Sequence, residues 1–109
     1  MLKIDGTTIK LTRGDSMYTE VAMIKSDGTP YEPQVGDVIR FGLKKSAKDT
    51  ECLIQKVISN DDLILHLEPN DTKPFAFGKY VYDVEITFAN GDVDTFINNQ
   101  PFNLVDEVI

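Results

Sequence analysis

The sequence predicts an all-β domain, a sandwich or small barrel of seven to eight short antiparallel strands. Three observations lead there. Apolar residues recur at every second position in several short runs, which gives each strand one face for a core and one for solvent. Gly, Pro, Asn, Asp and Ser interrupt those runs at short intervals, where turns need their backbone freedom or their side-chain hydrogen bonds. No stretch of ten residues sustains a helical period. The 109 residues suit a single domain spanning 1–109, long enough to bury a core without staples.

In chain order, Ile9–Thr12 is the first strand, broken by Arg13-Gly14-Asp15. Residues 17–25 form the second, ended by Ser26-Asp27-Gly28-Thr29-Pro30. Residues 31–36 follow Pro30 and contain Pro33, so they are expected as an extended, edge-like connection, because proline cannot donate to a ladder. Val38–Lys44 is the third strand, with Ile39, Phe41 and Leu43 on one face and Arg40, Gly42 and Lys44 on the other. A polar turn, 46–51, leads to strands at 53–58 and 63–67, which Ser59-Asn60-Asp61-Asp62 joins. Residues 69–74 make a corner, and residues 102–108 close the chain as a last strand.

Between them lies the most regular stretch, residues 77–97. Tyr80, Tyr82, Val84, Ile86 and Phe88 alternate with polar residues, Asn90-Gly91 interrupts, and Val93, Thr95 and Ile97 resume. Asn-Gly between alternating runs signals a hairpin with a two-residue turn. That register sets Phe88 opposite Val93 and Glu85 opposite Phe96. It buries Val93, Thr95 and Ile97 with Val84, Ile86 and Phe88, and turns Asp83, Glu85, Asp92 and Asp94 outward. Phe96 then faces out as well. A one-residue slip would bring it in and expel Val93 and Ile97. Phe96, Asp92, Asp94 and Glu85 are therefore the candidate protein-contact residues.

The corner before this hairpin narrows the architecture. Asp71 lies a few residues ahead of Gly78-Lys79-Tyr80-Val81-Tyr82. The arrangement resembles the tyrosine corner of immunoglobulin-like sandwiches, in which a tyrosine near a strand start bonds the backbone upstream. Tyr80, with Asp71, is the match. Tyr82 stands where antibody domains carry their second cysteine, and Phe41 substitutes for their core Trp. The fold expected is thus an immunoglobulin-like antiparallel β-sandwich.

Composition excludes several function classes. Eighteen acidic against 11 basic residues give a net charge of −7, which repels nucleic-acid phosphates. No apolar run is long enough to span a membrane, and no apolar stretch at the N-terminus is long enough for a signal peptide. The lone Cys52 cannot form an internal disulfide, and in its apolar setting beside Leu53 and Ile54 it is expected near the core. With one His and one Cys, a zinc site built on those residues is out, and no cofactor is expected. Arg13-Gly14-Asp15 spells an adhesion tripeptide, but glycine and aspartate also make a turn. His66, between Leu65 and Leu67, is a half-exposed packing residue on a strand, with no nucleophile motif around it. Asn90, Asp92 and Asp94 lack the glycine and terminal glutamate of a calcium loop. Lys44, Lys45 and Lys48 form a basic cluster without a glycine-rich loop. If the third strand lies beside the Tyr80 strand, Arg40 and Lys44 face Asp83 and Glu85 in cross-strand pairs.

"IKLTRGDS", "DGTPYEPQVGDVIRFGLKKS", "LEPNDTKPFAFGKYVYDVEITFANGDVDTFI" and a terminal "FNLVDEV" together resemble small proteins encoded in phages and prophages of Firmicutes. Those are taken as virion components near tail, baseplate or head-fibre genes, some similar to the N-terminal β-sandwich domains of upper baseplate proteins. The resemblance implies a non-enzymatic structural or assembly module. Its expected partners are other phage structural proteins or itself, as a homo-oligomer, with no nucleic acid and no membrane. It would occupy the bacterial cytoplasm during assembly and then the virion. Docking is expected at the Ile9–Thr12 strand, the 102–108 strand and Phe96. The alternative is an immunoglobulin-like ligand- or carbohydrate-binding module, with Tyr18, Tyr31 and Phe75 as exposed aromatics.

Overall fold

A computed structural model describes residues 2–3, 8–21, 23–25 and 27–106, with backbone alone at 2, 3 and 96. The domain is all-β, a small β-sandwich. Its strands are β1 (Leu2–Lys3), β2 (Ile9–Thr12), β3 (Met17–Glu20), β4 (Ile24–Lys25), β5 (Val38–Lys44), β6 (Ile54–Ile58), β7 (Ile64–Leu67), β8 (Gly78–Thr87) and β9 (Val93–Val105). One helical turn, α1 (Pro69–Thr72), occupies the corner before β8. The larger layer is a five-stranded sheet in the order β2-β9-β8-β5-β6. Against it stand the pair β3-β7 and the short pair β1-β4.

The sheet is not wholly antiparallel. β2 runs parallel to β9, with Ile9 opposite Phe102 and Thr12 opposite Val105. This also corrects the expected role of the closing strand. Residues 102–105 lie between β2 and β8, inside the sheet, and are not an edge. Residues 107 and 108 of that expected strand lie outside the described residues.

Alternation places the core. Ile39, Phe41, Leu43, Tyr82, Val84, Ile86, Phe102 and Leu104 bury their side chains on the inner face, against Val21, Met23, Leu65 and Leu67 of the small layer. Phe41 packs on Tyr82 at 5.6 Å and on Phe102 at 6.3 Å between ring centroids. Tyr82 meets Phe102 edge-on at 6.4 Å. This aromatic trio fills the centre that antibody domains fill with Trp and a disulfide.

The β8–β9 hairpin departs from the sequence expectation. Gly91 N donates to Phe88 O (2.9 Å), and Phe88 N donates to Asp92 O (2.7 Å). The loop is therefore Ala89-Asn90-Gly91, three residues, with Gly91 in the left-handed region at φ 96°. That is a type I turn closed by a left-handed glycine, not the tighter two-residue turn. Pairing slips by one: Thr87 faces Val93, Ile86 faces Asp94 and Glu85 faces Thr95. Val93 is expelled, 58% exposed. Ile97 is not. The register shifts between Glu85–Thr95 and Val84–Ile97, so residue 96 is one extra residue on β9, and Ile97 returns to the core at 6% exposure. A second shift follows before Tyr82–Gln100, where Asn99 adopts φ 52° and its N–H donates to Asp83 Oδ1 at 2.6 Å. Such bulges add twist and re-aim side chains without ending the ladder.

Candidate functional site

Three regions hold the polar chemistry of the described residues: the end formed by the β4–β5, β6–β7 and β8–β9 loops, the opposite end, and the outer face of the five-stranded sheet with its edges.

The loop end is organised by Asp37, which is 6% exposed. Its Oδ2 accepts a 2.5 Å hydrogen bond from the Tyr31 hydroxyl and a 2.8 Å bond from Gln34 N–H. The Ala89 amide of the hairpin loop also donates to this carboxylate. Asn60 Nδ2 donates to Asp37 O at 2.7 Å, which ties in the β6–β7 turn. Burial pushes the Asp37 pKa up, but the Tyr31 hydroxyl and the two amides outweigh it and hold the carboxyl below its ordinary 3.8. Burial, with Asp37 beside it, pushes the Tyr31 hydroxyl up to about 12. The Tyr31 ring meets Phe88 edge-on at 5.9 Å. Gly36 is required here, since a Cβ on it would stand 2.8 Å from Ala89 Cβ. The three-residue hairpin loop thus has a tertiary cause: its extra residue, Ala89, is the one that packs on Gly36 and bonds Asp37. A groove of about 330 Å³ beside Lys25, Pro30, Tyr31, Glu32 and Gln34 opens at this end.

At the opposite end, the Arg13-Gly14-Asp15 tripeptide is a structural turn. Asp15 N donates to Thr12 O at 3.0 Å, and Gly14 N donates to the buried Thr72 Oγ1 at 2.9 Å. The Arg13 guanidinium lies 4.3 Å over the Phe77 ring and donates to Phe75 O. An arginine held this way is packed, not presented. The Tyr80 hydroxyl donates to Ala76 O, four residues upstream, at 2.6 Å. Asp71 is not its partner. It accepts from Glu68 N at 2.7 Å within a capping box and pairs with Lys56 Nζ at 3.0 Å, because one helical turn stands where a plain corner was expected.

On the outer face, Arg40 lies opposite Glu85 and Gly42 opposite Asp83. Lys44 Nζ pairs with Asp83 at 2.9 Å, and Arg40 with Glu85 at 4.0 Å. Asp83 and Glu85 therefore stand where alternation put them. Asp94 does not. It is half-buried and lies opposite the core residue Ile86, a consequence of the slipped register. Asp92 belongs to the turn, where its N–H bonds Asn90 Oδ1 at 2.9 Å. The Phe96 side chain lies outside the described residues. Asp92, Asp94 and Glu85 of the expected contact set are thus not gathered on one face.

Cys52 is exposed, contrary to the core position expected for it. The chain folds back before β6, and its Sγ sits 2.8 Å from where a Cβ on Gly42 would stand. A dent of about 220 Å³ there is lined by Arg40, Gly42, Cys52, Gln55, Asp83 and Glu85. Tyr18 is 69% exposed and stacks on His66 at 4.2 Å across β3–β7. Tyr31 is half-buried in the loop end, and Phe75 packs against the core, so the three aromatics proposed for a sugar surface do not share one. Among the described residues no group of three His, Cys, Asp or Glu could hold a metal ion, and no helix is long and apolar enough to cross a membrane. No protein-family model matches this chain, and no curated protein matches it either.

Sequence reasoning missed two features. Asp37 carried only a weak signal, a Gly-Asp pair before a strand with a tyrosine six residues earlier. The β6 edge carried none, because strand order is not written in alternation.

Proposed function

We propose that this chain is a non-enzymatic structural module of a phage or prophage particle, docking on other particle proteins or on itself. The observation that carries the docking part is the five-stranded sheet, whose β6 edge pairs with no further strand among the described residues and exposes Val57 to 71%. An open edge offers backbone donors and acceptors to an incoming strand. The polar groups held in the interior support the non-enzymatic part. Asp37, Thr72 and Tyr80 bond backbone groups and fix loops, and none of the three is poised beside a nucleophile or a leaving-group site. What points to a phage particle is the wording of the sequence. On this reading the protein is made in the bacterial cytoplasm and incorporated into the virion.

The test is the protein composition of purified particles from a strain that carries the gene. The chain is expected in the particle fraction at a fixed ratio to the major structural proteins. Recovery only in the soluble fraction would remove the reading. A ligand- or carbohydrate-binding module remains the second reading, favoured by the exposed Tyr18 ring. A glycan array without hits at high protein concentration would remove that one.

A further inference from the structure

Asn90 is the only asparagine of the chain that glycine follows. That pair is open to a spontaneous reaction, in which the backbone nitrogen of the second residue attacks the side-chain carbonyl of the first. Glycine, without a Cβ, shields its nitrogen least. Both residues are exposed, so water reaches them. Each polar group of the reaction is nevertheless engaged. Gly91 N–H donates to Phe88 O at 2.9 Å. Asn90 Oδ1 accepts from Asp92 N–H at 2.9 Å, and Asn90 Nδ2 donates to Asp92 Oδ2 at 3.3 Å. The acceptor of the Gly91 bond is itself fixed. Phe88 C=O and Ala89 N–H belong to one planar peptide unit. That N–H donates to the buried Asp37 carboxylate, and Ala89 packs on Gly36 where no Cβ would fit. One peptide plane thus links the carboxylate to the nitrogen that would attack, and hydrogen bonds in such a chain strengthen one another.

We propose that Asn90 is a deamidation site held shut from a distance by Asp37, converting only when the hairpin loop opens. This goes beyond the docking reading and does not rest on it. In the reaction Gly91 N loses its proton to solvent and bonds to Asn90 Cγ. The Cγ–Nδ2 bond breaks, and ammonia leaves with a proton from solvent. The cyclic imide then takes up one water at either of its carbonyls and opens to aspartate or isoaspartate. Nothing is oxidised or reduced. The gate lies at the first step. A nitrogen whose proton is bonded to Phe88 O surrenders it to solvent only after that bond opens. The Asp37 bond holds the Phe88 carbonyl in place, so it sets how often the opening occurs.

Mass spectrometry of the full-length chain tests this, with peptide fragmentation to locate the change. The chain is kept in buffer and in concentrated guanidinium chloride at one pH and temperature. Folded wild type should convert at Asn90 about tenfold more slowly than the denatured chain, or slower still, as an opening that costs about 1.4 kcal/mol produces. Asp37→Asn sets an amide among donors and should convert faster than wild type in buffer while still folded by circular dichroism. Hydrogen exchange on the wild type gives a reading that needs no variant: the Ala89 and Gly91 amides should be protected alike, since one opening frees both. The proposal is overturned if folded and denatured wild type convert at the same rate, or if folded Asp37→Asn converts no faster than wild type. Free exchange at Gly91 beside a protected Ala89 would overturn it as well.

Discussion

At the loop end a buried carboxylate accepts hydrogen bonds from a tyrosine hydroxyl and from the amides of two loops. At the β6 edge, five residues of backbone meet no strand on their outer side among the described residues. The first region has committed its polar groups to its own fold. The second keeps its pairing capacity unused. Inside a protein, an unbonded polar group is costly, so a committed site resists change and contributes stability. A solvated edge loses little by waiting for a partner. Stability and docking are therefore expected to separate: changes at the loop end should unfold the protein, and changes at the edge should alter only its associations.

The largest effect should come from Asp37→Ala, which leaves buried donors unsatisfied. A loss of about 3 kcal/mol in denaturant unfolding is expected. An effect below that of an ordinary surface substitution would break the contrast. Tyr31→Phe removes one hydrogen bond to a charged acceptor and should lower stability by about 2 kcal/mol.

The same pair sets two pH limits. The Asp37 carboxyl titrates lower folded than unfolded, so its contribution is present above about 3.8 and is lost as pH falls through the lower folded value. The Tyr31 hydroxyl titrates higher folded, so its contribution is present below 10 and is lost as pH rises to about 12. Unfolding measured across pH should show both limbs in the wild type, and Tyr31→Phe should flatten the alkaline one.

Smaller effects sharpen the comparison. Tyr80→Phe should cost roughly 0.5–1.5 kcal/mol, since the Ala76 carbonyl it bonds is partly wet. Lys44→Met, which removes the Asp83 pair on the outer face, should cost only about 0.2–1 kcal/mol. Val57→Lys should change unfolding by no more than about 0.5 kcal/mol, as expected for an exposed site.

The parts legible in the sequence are those that a period of two dictates. Alternation placed Ile39, Phe41 and Leu43 inward, and it set Arg40 and Lys44 against Glu85 and Asp83. The Tyr80 hydroxyl bond was legible from its spacing after the corner. The hairpin register was not, because Asn-Gly fixes a turn only until a distant contact prefers another. Here the contact is Ala89 against Gly36 and Asp37, more than fifty residues away in sequence. The bulge at residue 96 then restored Ile97 to the core, a correction that alternation cannot express. Cys52 was misplaced because its apolar neighbours suggested burial, whereas a fold-back before β6 turns it outward. The parallel β2 pairing and the open β6 edge depend on strand order, which long-range topology decides.

Light scattering on a size-exclusion column, across a wide concentration range, tests most directly whether the open edge docks on a second copy of the chain. The expected result is a wild-type dimer whose population grows with concentration, and a monomer for Val57→Lys with an unfolding free energy matching wild type. A wild type that stays monomeric throughout, or a Val57→Lys variant that dimerises equally well, would contradict it.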